Sequence, residues 1–95
     1  MNMQTIMAQA QKMQRELEKV TKDIESTEFE SNSGAIKVIV RGNYEVLSVK
    51  ILENVDDNEL LSDMILVAVN DALSKIKKTK SEKLGKYTNR FGGLF

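Results

Sequence analysis

The chain has 95 residues, which allows at most one domain, and 14 Lys and Arg balance 14 Asp and Glu to a formal net charge of zero. Because the sequence contains no Cys and no His, it excludes disulfides, thiol or imidazole nucleophiles and the usual zinc sites. The absence of Pro and a count of only five Gly favour long uninterrupted helices over a loop-rich fold.

The first predicted element is an amphipathic helix over residues 3–25. Its apolar residues are spaced alternately three and four apart, which places each of them at position a or d of a heptad. At 1.5 Å per residue, the helix would be roughly 34 Å long. The seam, as we call this apolar line, consists of Met3, Ile6, Ala10, Met13, Leu17, Val20 and Ile24.

A change of period after the first helix predicts three short strands. Residues 27–31 form the first, and the polar segment 31–34 supplies a turn. Gly42-Asn43 predicts a two-residue hairpin with positive φ between the second and third strands. The alternating apolar residues of these two strands are Ile36, Val38, Val40, Leu47, Val49 and Ile51.

A second long helix is predicted from Asn58 to about Leu84, after an acidic start at residues 56–59 that suits capping and the helix dipole. The helical period is lost after Leu84. We therefore assign residues 1–86 to a single domain and expect residues 87–95 to form a mobile C-terminal tail. The apolar stripe of the helix is Leu61, Ile65, Ala68, Ala72 and Ile76.

The predicted fold class is therefore α+β, in the order α-β-β-β-α, with a three-stranded antiparallel meander between two long helices. Both helices are much longer than the ~13 Å radius of gyration of a compact chain of this size, so both must overhang the sheet. The seam continues along the overhanging part of the first helix and cannot remain in water. We infer a homodimer joined through the seam.

Basic residues are concentrated near the end of the second helix, where residues 75–90 contain seven basic side chains and one acidic one. Continuing the apolar stripe by three or four residues reaches Thr79 or Lys80, so the inward face turns basic, as in a helix end that has left its core. Such ammonium groups could lie along a phosphate backbone, or they could simply confer solubility and complement the helix dipole. The candidate phosphate contacts are Lys75, Lys78, Lys80 and Lys83.

A second basic stripe lies opposite the seam on the first helix, at heptad positions c and f. Each of its members has an acidic residue three or four positions away. An ordinary solvated face therefore explains the stripe better than DNA contact does, and we treat its members as secondary DNA contacts. They are Lys12, Arg15, Lys19 and Lys22.

Sequence motifs for catalysis and for membranes are missing. There is no P-loop, no G-x-G-x-x-G and no nucleophile elbow, and residues 56–59 lack the alternating spacing of a calcium loop. The longest apolar run, Met64 to Val69, has six residues against the roughly 20 that span a bilayer. We expect a cytoplasmic protein that is not an enzyme and has no cofactor, no metal, no small-molecule substrate and no membrane partner.

Several short segments in this order resemble the YbaB/EbfC family of bacterial nucleoid-associated proteins, from about residue 3 to residue 86. The resemblance implies a homodimer of tweezer-like shape that binds DNA, organises the nucleoid and influences gene expression, with no catalytic residues. The residues that carry it are Gln9-Ala10-Gln11-Lys12-Met13-Gln14, then Gly34, Val38, Val40, Gly42, Val46 and Val49, and finally Ala68 with Asn70-Asp71-Ala72.

Two functions stay open at this point. In the first, the chain binds duplex DNA largely through phosphates, with modest affinity because its net charge is zero. In the second, the chain is a protein-protein interaction module that grips another protein and binds DNA only incidentally. The neutral overall charge and the acidic neighbours on the first helix favour the second function somewhat.

Overall fold

The structure, a computed structural model, describes the backbone of residues 2–90 and the side chains of residues 2–87. Three strands lie in the order β1-β2-β3 and pair in antiparallel fashion. This confirms the predicted α-β-β-β-α order and the meander. The elements are α1 (Met3–Ser26), β1 (Glu28–Ser33), β2 (Ile36–Arg41), β3 (Val46–Ile51) and α2 (Asn58–Arg90).

Helix α1 begins with a cap, because the Asn2 side chain accepts a hydrogen bond of 2.9 Å from the Gln4 N–H. Helix α1 packs on α2. Along the seam, burial decreases from Ile24, which is buried, to Met3, which is 71% exposed. Between them Val20, Leu17 and Met13 are half-buried, and Ala10 and Ile6 are exposed. In the single chain, therefore, only the C-terminal half of the seam is buried or half-buried.

The connection between β2 and β3 differs from the predicted two-residue hairpin. The positive φ belongs to Tyr44, at 69°, rather than to Gly42 or Asn43. The Tyr44 N–H donates to the Arg41 carbonyl at 2.8 Å and closes a turn. Between Ile39 and Val40 the register with β3 shifts by a β-bulge. The shift leaves Leu47 of β3 without a partner in β2, which a simple alternation of apolar residues does not reveal.

Gly42 lies at a position that has no room for a side chain. A Cβ on Gly42 would lie 1.7 Å from the Ile24 carbonyl oxygen, so any side chain here would collide with the backbone of α1. The Gly42 N–H also donates to the Thr27 carbonyl at 2.8 Å. The β2–β3 loop is thus fastened to the end of α1.

The core lies between α2 and one face of the sheet. Ile36, Val38 and Val40 of β2 are fully buried there. The small side chains of Ala68 and Ala72 let α2 approach the sheet closely. The predicted stripe is confirmed, because Ala68, Ala72 and Ile76 are fully buried and Leu61 and Ile65 pack against the same cluster.

Helix α2 is longer than predicted. It continues past Leu84 to Arg90, which gives 33 residues and a length of about 50 Å. Tyr87, at the start of the predicted tail, is only 3% exposed. Residues 91–95 of the predicted tail lie outside the described residues.

Both helices overhang the sheet, as expected, and the chain is elongated, with a Cα radius of gyration of 18.9 Å and extents of 69 × 21 × 13 Å. We call the three strands together with residues 58–76 of α2 the body. We call α1 together with residues 77–90 of α2 the arm.

Candidate nucleic-acid interface

Lys75, one of the predicted phosphate contacts, has two partners within the chain. Its ammonium group donates to the Glu30 carbonyl of β1 at 2.7 Å and lies 3.5 Å from a carboxylate oxygen of Asp71. The prediction rested on lysines without partners. Lys75 instead ties α2 to the edge strand β1.

Asp71 belongs to the same cluster on the body. The hydroxyl of Ser31, which is 1% exposed, donates to its Oδ2 at 2.6 Å. This hydrogen bond, together with the positive charge of Lys75, lowers the pKa of Asp71 below 3.8 against a smaller opposing effect of desolvation. Ser31, Asp71 and Lys75 therefore form a structural contact between α2 and β1.

The sequence predicts a basic inward face for the arm, and this prediction is wrong. Lys80 is half-buried, with its Nζ 4.4 Å from the centre of the Tyr44 ring, so its charge is held over an aromatic face of the β2–β3 loop. Leu84 is half-buried and Tyr87 is buried. The end of α2 has therefore not left its core, because this face packs in the arm that α2 forms with α1.

Lys78 and Lys83 are exposed, as phosphate contacts need to be. Lys77 and Lys86 are exposed on the same helical segment and were not among the predicted contacts. Their position in the same charged run is the signal that could have identified them. Across residues 77–86 five lysines face a single acidic residue, Glu82.

The basic side chains of α1 lack the ion pairs that the sequence predicts. Within the part of the chain whose side chains are described, no basic group of α1 lies within 4.0 Å of a carboxylate, so the predicted pairs are not formed. Arg15, Lys19 and Lys22 line one shallow depression, together with Glu18 and Asp23. All four predicted cations of α1 are exposed: Lys12, Arg15, Lys19 and Lys22.

A group of acidic residues lies around the opposite end of α2: Glu53, Asp56, Asp57, Glu59 and Asp63. The Asp57 carboxylate caps the helix by accepting from the N–H groups of Glu59 and Leu60 at 2.9 and 3.3 Å. Among the described residues, no group of three or more His, Cys, Asp and Glu is placed to hold a metal ion. Within residues 2–90, neither helix has the length and apolarity to cross a membrane.

The sequence is similar to a known protein family and to several nucleoid-associated proteins. The model of the YbaB/EbfC DNA-binding family matches residues 1–91. A nucleoid-associated protein of Ligilactobacillus salivarius is 38% identical and covers 99% of this chain and 95% of its own length. A nucleoid-associated protein of Clostridium botulinum (strain Eklund 17B) is 45% identical, with 99% and 88% covered.

A solved structure has the same fold. It is the crystal structure of the uncharacterized protein HP0035 from Helicobacter pylori, with a TM-score of 0.75 and 18% identity. The superposition covers 92% of this chain and 97% of that one. At this identity the likeness concerns the fold alone.

Proposed function

Because the chain belongs to the YbaB/EbfC DNA-binding family, we propose that it binds duplex DNA as a homodimer, largely through phosphate contacts made by the arm. The observation that carries the proposal is the set of exposed cations on both helices of the arm. On α1 these cations lie beyond 4.0 Å from any described carboxylate. Ammonium and guanidinium groups without partners are the groups that replace counterions on a phosphate backbone.

The primary contacts that we propose are Lys78 and Lys83 of α2, with Lys80 beside them. Lys12, Arg15, Lys19 and Lys22 of α1 are further contacts. Lys75 is omitted because its ammonium group is already bound to Glu30 and Asp71. Contacts of this kind position a duplex without discriminating bases, so binding should depend little on DNA sequence and strongly on salt.

The homodimer is supported by apolar side chains that the single chain leaves in water. The seam of α1 is one proposed contact surface, since Met3 and Ile6 are 71% and 43% exposed. Burial of such side chains against a second copy is favourable in proportion to the apolar area removed from water. A dimer also doubles every cation of the arm, which raises the number of phosphates that one particle neutralises.

In the cell, we expect the dimer to be associated with the nucleoid, to organise it and to influence gene expression. We propose no catalytic activity, because the cations and carboxylates described above form no phosphate cradle and no paired acid and base.

A gel-shift series tests this function. The wild-type protein is titrated onto two duplexes of unrelated sequence at several salt concentrations. We expect similar affinities for both, and a logarithm of affinity that falls with the logarithm of salt by about 0.9 per neutralised phosphate. The double variants Lys78→Gln with Lys83→Gln, and Lys12→Gln with Arg15→Gln, show which helix makes the contacts.

Each double variant removes four cations per dimer and should reduce the salt slope by up to about 4 units if all four contact phosphate. Circular dichroism must first show an unchanged fold. Loss of slope only in the α1 variant would transfer the primary contacts to Lys12 and Arg15. No binding of the wild type to either duplex at low salt would contradict the proposal, and the protein-protein interaction module would replace it.

A further inference from the structure

The apolar line of α1 extends beyond the part that is buried in the arm. Met13 is half-buried, whereas Ala10 and the seam residues before it are exposed. Met3 and Ile6 are 71% and 43% exposed, and Met7, one helical turn after Met3, is 57% exposed. Burial of such a surface is favourable in water. We call it the tip patch, and its members are Met3, Ile6, Met7 and Ala10.

The alignment of the two helices in the arm places the end of α2 just short of the tip patch. Gly42 of the β2–β3 loop lies against the Ile24 carbonyl of α1. Lys80 of α2 lies over the Tyr44 ring of the same loop, so Lys80 and Ile24 are at about the same height along the arm. Helix α2 continues for ten residues beyond Lys80 and rises about 15 Å. It therefore ends beside about residue 14 of α1, which is where the burial of the seam stops.

Residues 91–95, which follow α2 in the sequence, are Phe-Gly-Gly-Leu-Phe. Three of these five side chains are large and apolar and none is charged, in contrast to the lysine-rich run before them. Phe91 and Leu94 also continue the three-and-four spacing of Leu84 and Tyr87, the α2 residues that face α1. We call residues 91–95 the apolar segment.

The apolar segment is long enough to reach the tip patch. Five residues advance about 7.5 Å in a helix and at most about 17 Å when extended. Starting beside residue 14 of α1, these distances correspond to about residue 9 and about residue 3. Among the described residues of α2, the exposed large apolar side chain nearest to Arg90 is Val67, 23 residues and about 35 Å back along the helix. The tip patch is therefore the apolar surface directly ahead of the apolar segment.

A tethered segment has an advantage over a second copy as the occupant of the tip patch. Groups joined by a short linker meet at an effective concentration in the millimolar range. A second molecule instead loses translational and rotational freedom when it binds. Phenylalanine side chains also bury more apolar area than most others, and the apolar segment supplies two of them.

We propose that the apolar segment docks on the tip patch of its own chain, with its phenylalanine and leucine side chains against Met3, Ile6 and Met7. The docked segment continues the packing of the arm beyond the end of α2. The second copy of the proposed homodimer then contacts apolar surface outside the tip patch. The basic stripe of α1 lies opposite the seam, so docking leaves Lys12 and Arg15 exposed and does not depend on DNA binding.

Paired cysteines test the contact, because the chain has no cysteine of its own. The test pair is Ile6→Cys with Leu94→Cys. The matched control is Ala8→Cys with Leu94→Cys, since Ala8 is exposed, lies about 3 Å along the helix from Ile6 and faces the opposite side of α1. Both double variants are oxidised with the same glutathione buffer, and the initial rate of disulfide formation within one chain is followed by mass spectrometry.

We expect the test pair to form its disulfide roughly tenfold faster than the control pair, because docking holds the segment on the seam side of α1. Equal rates would overturn the inference. An equimolar mixture of the single variants Ile6→Cys and Leu94→Cys identifies the source of the segment. Rapid formation of a linked pair of chains in this mixture would assign the docked segment to the second copy. Rapid linkage of Ile6→Cys to itself would assign the tip patch to α1 of the second copy, and either result would overturn docking within one chain.

Removal of the apolar side chains provides a second test. The triple variant Phe91→Ser, Leu94→Ser and Phe95→Ser is combined with Met7→Cys, and the rate of reaction with 5,5′-dithiobis(2-nitrobenzoate) is compared with that of Met7→Cys alone. We expect the triple variant to raise this rate roughly tenfold, because a thiol must be accessible to react. Ala8→Cys is the matched control, and its rate should not change.

An unchanged rate for Met7→Cys, with an unchanged circular dichroism spectrum, would overturn the inference. The triple variant should keep the wild-type salt slope in gel shifts, since it removes no cation. Docking and DNA binding can therefore fail separately.

Discussion

The body and the arm share a single helix, but they use it differently. In the body, α2 presents Ala68 and Ala72 to the sheet, so that helix and sheet approach closely. In the arm, the same helix presents Leu84 and Tyr87 and packs on α1. One continuous helix thus has two packing partners.

The body and the arm also differ in charge. Lysines dominate residues 77–86 of the arm, while the acidic residues that cap and precede α2 lie at the other end, on the body. The two halves cancel to a net charge of zero. A neutral composition therefore conceals a basic region in the arm and an acidic region on the body.

The junction between the two regions should be the most sensitive point. Gly42→Ala would place a Cβ 1.7 Å from the Ile24 carbonyl, so α1 and the β2–β3 loop would have to separate. We expect the free energy of unfolding in urea to fall by more than about 4 kcal/mol.

Gly85→Ala is the matched control in the arm. A Cβ on Gly85 would meet nothing within 4 Å, and Ala favours a helix over Gly, so this variant should gain about 0.5–1 kcal/mol. Equal effects of the two substitutions would show that the close contact at Gly42 does not hold the junction.

The packing of the arm can be tested at Tyr87. Tyr87→Ala removes a side chain that is 3% exposed and should lower the free energy of unfolding by about 3 kcal/mol. A mobile tail starting at residue 87 would instead make the substitution nearly neutral. Denaturant unfolding followed by circular dichroism distinguishes the two outcomes.

A smaller effect is expected on the body at Asp71. Its pKa is lowered in the folded state, so its ionised form stabilises the fold above pH 3.8, and this contribution is lost as the pH falls through the lower, folded-state pKa. Asp71→Asn should therefore lower the urea midpoint at neutral pH. The difference from wild type should shrink below pH 3.8, and a constant difference at every pH would contradict the role of this carboxylate.

Much of the fold could be predicted because the patterns are local. Heptad spacing on α1 and alternation on β2 and β3 follow directly from the geometry of helices and strands. The end of α2 was missed because Lys80 interrupts the apolar stripe between Ile76 and Leu84. Its charge lies over Tyr44, a contact between residues 36 positions apart that no local pattern contains.

The candidate site was harder to predict. Position on a helix predicted lysines of α2 as candidate contacts, yet it could not show that Lys75 reaches the Glu30 carbonyl on a different element. The i,i+4 spacing on α1 likewise indicated ion pairs that the described side chains do not form. Sequence spacing shows which groups can meet, whereas tertiary packing decides which of them do.

The central claim is that the arm, and not the body, contacts DNA. The most direct test compares two single variants that each remove one exposed lysine: Lys83→Gln on the arm and Lys50→Gln on β3. In salt-dependent gel shifts, Lys83→Gln should reduce the slope of log affinity against log salt by about 1.8, for two phosphates per dimer, and Lys50→Gln should leave it unchanged. An unchanged slope for Lys83→Gln together with a reduced slope for Lys50→Gln would contradict the account.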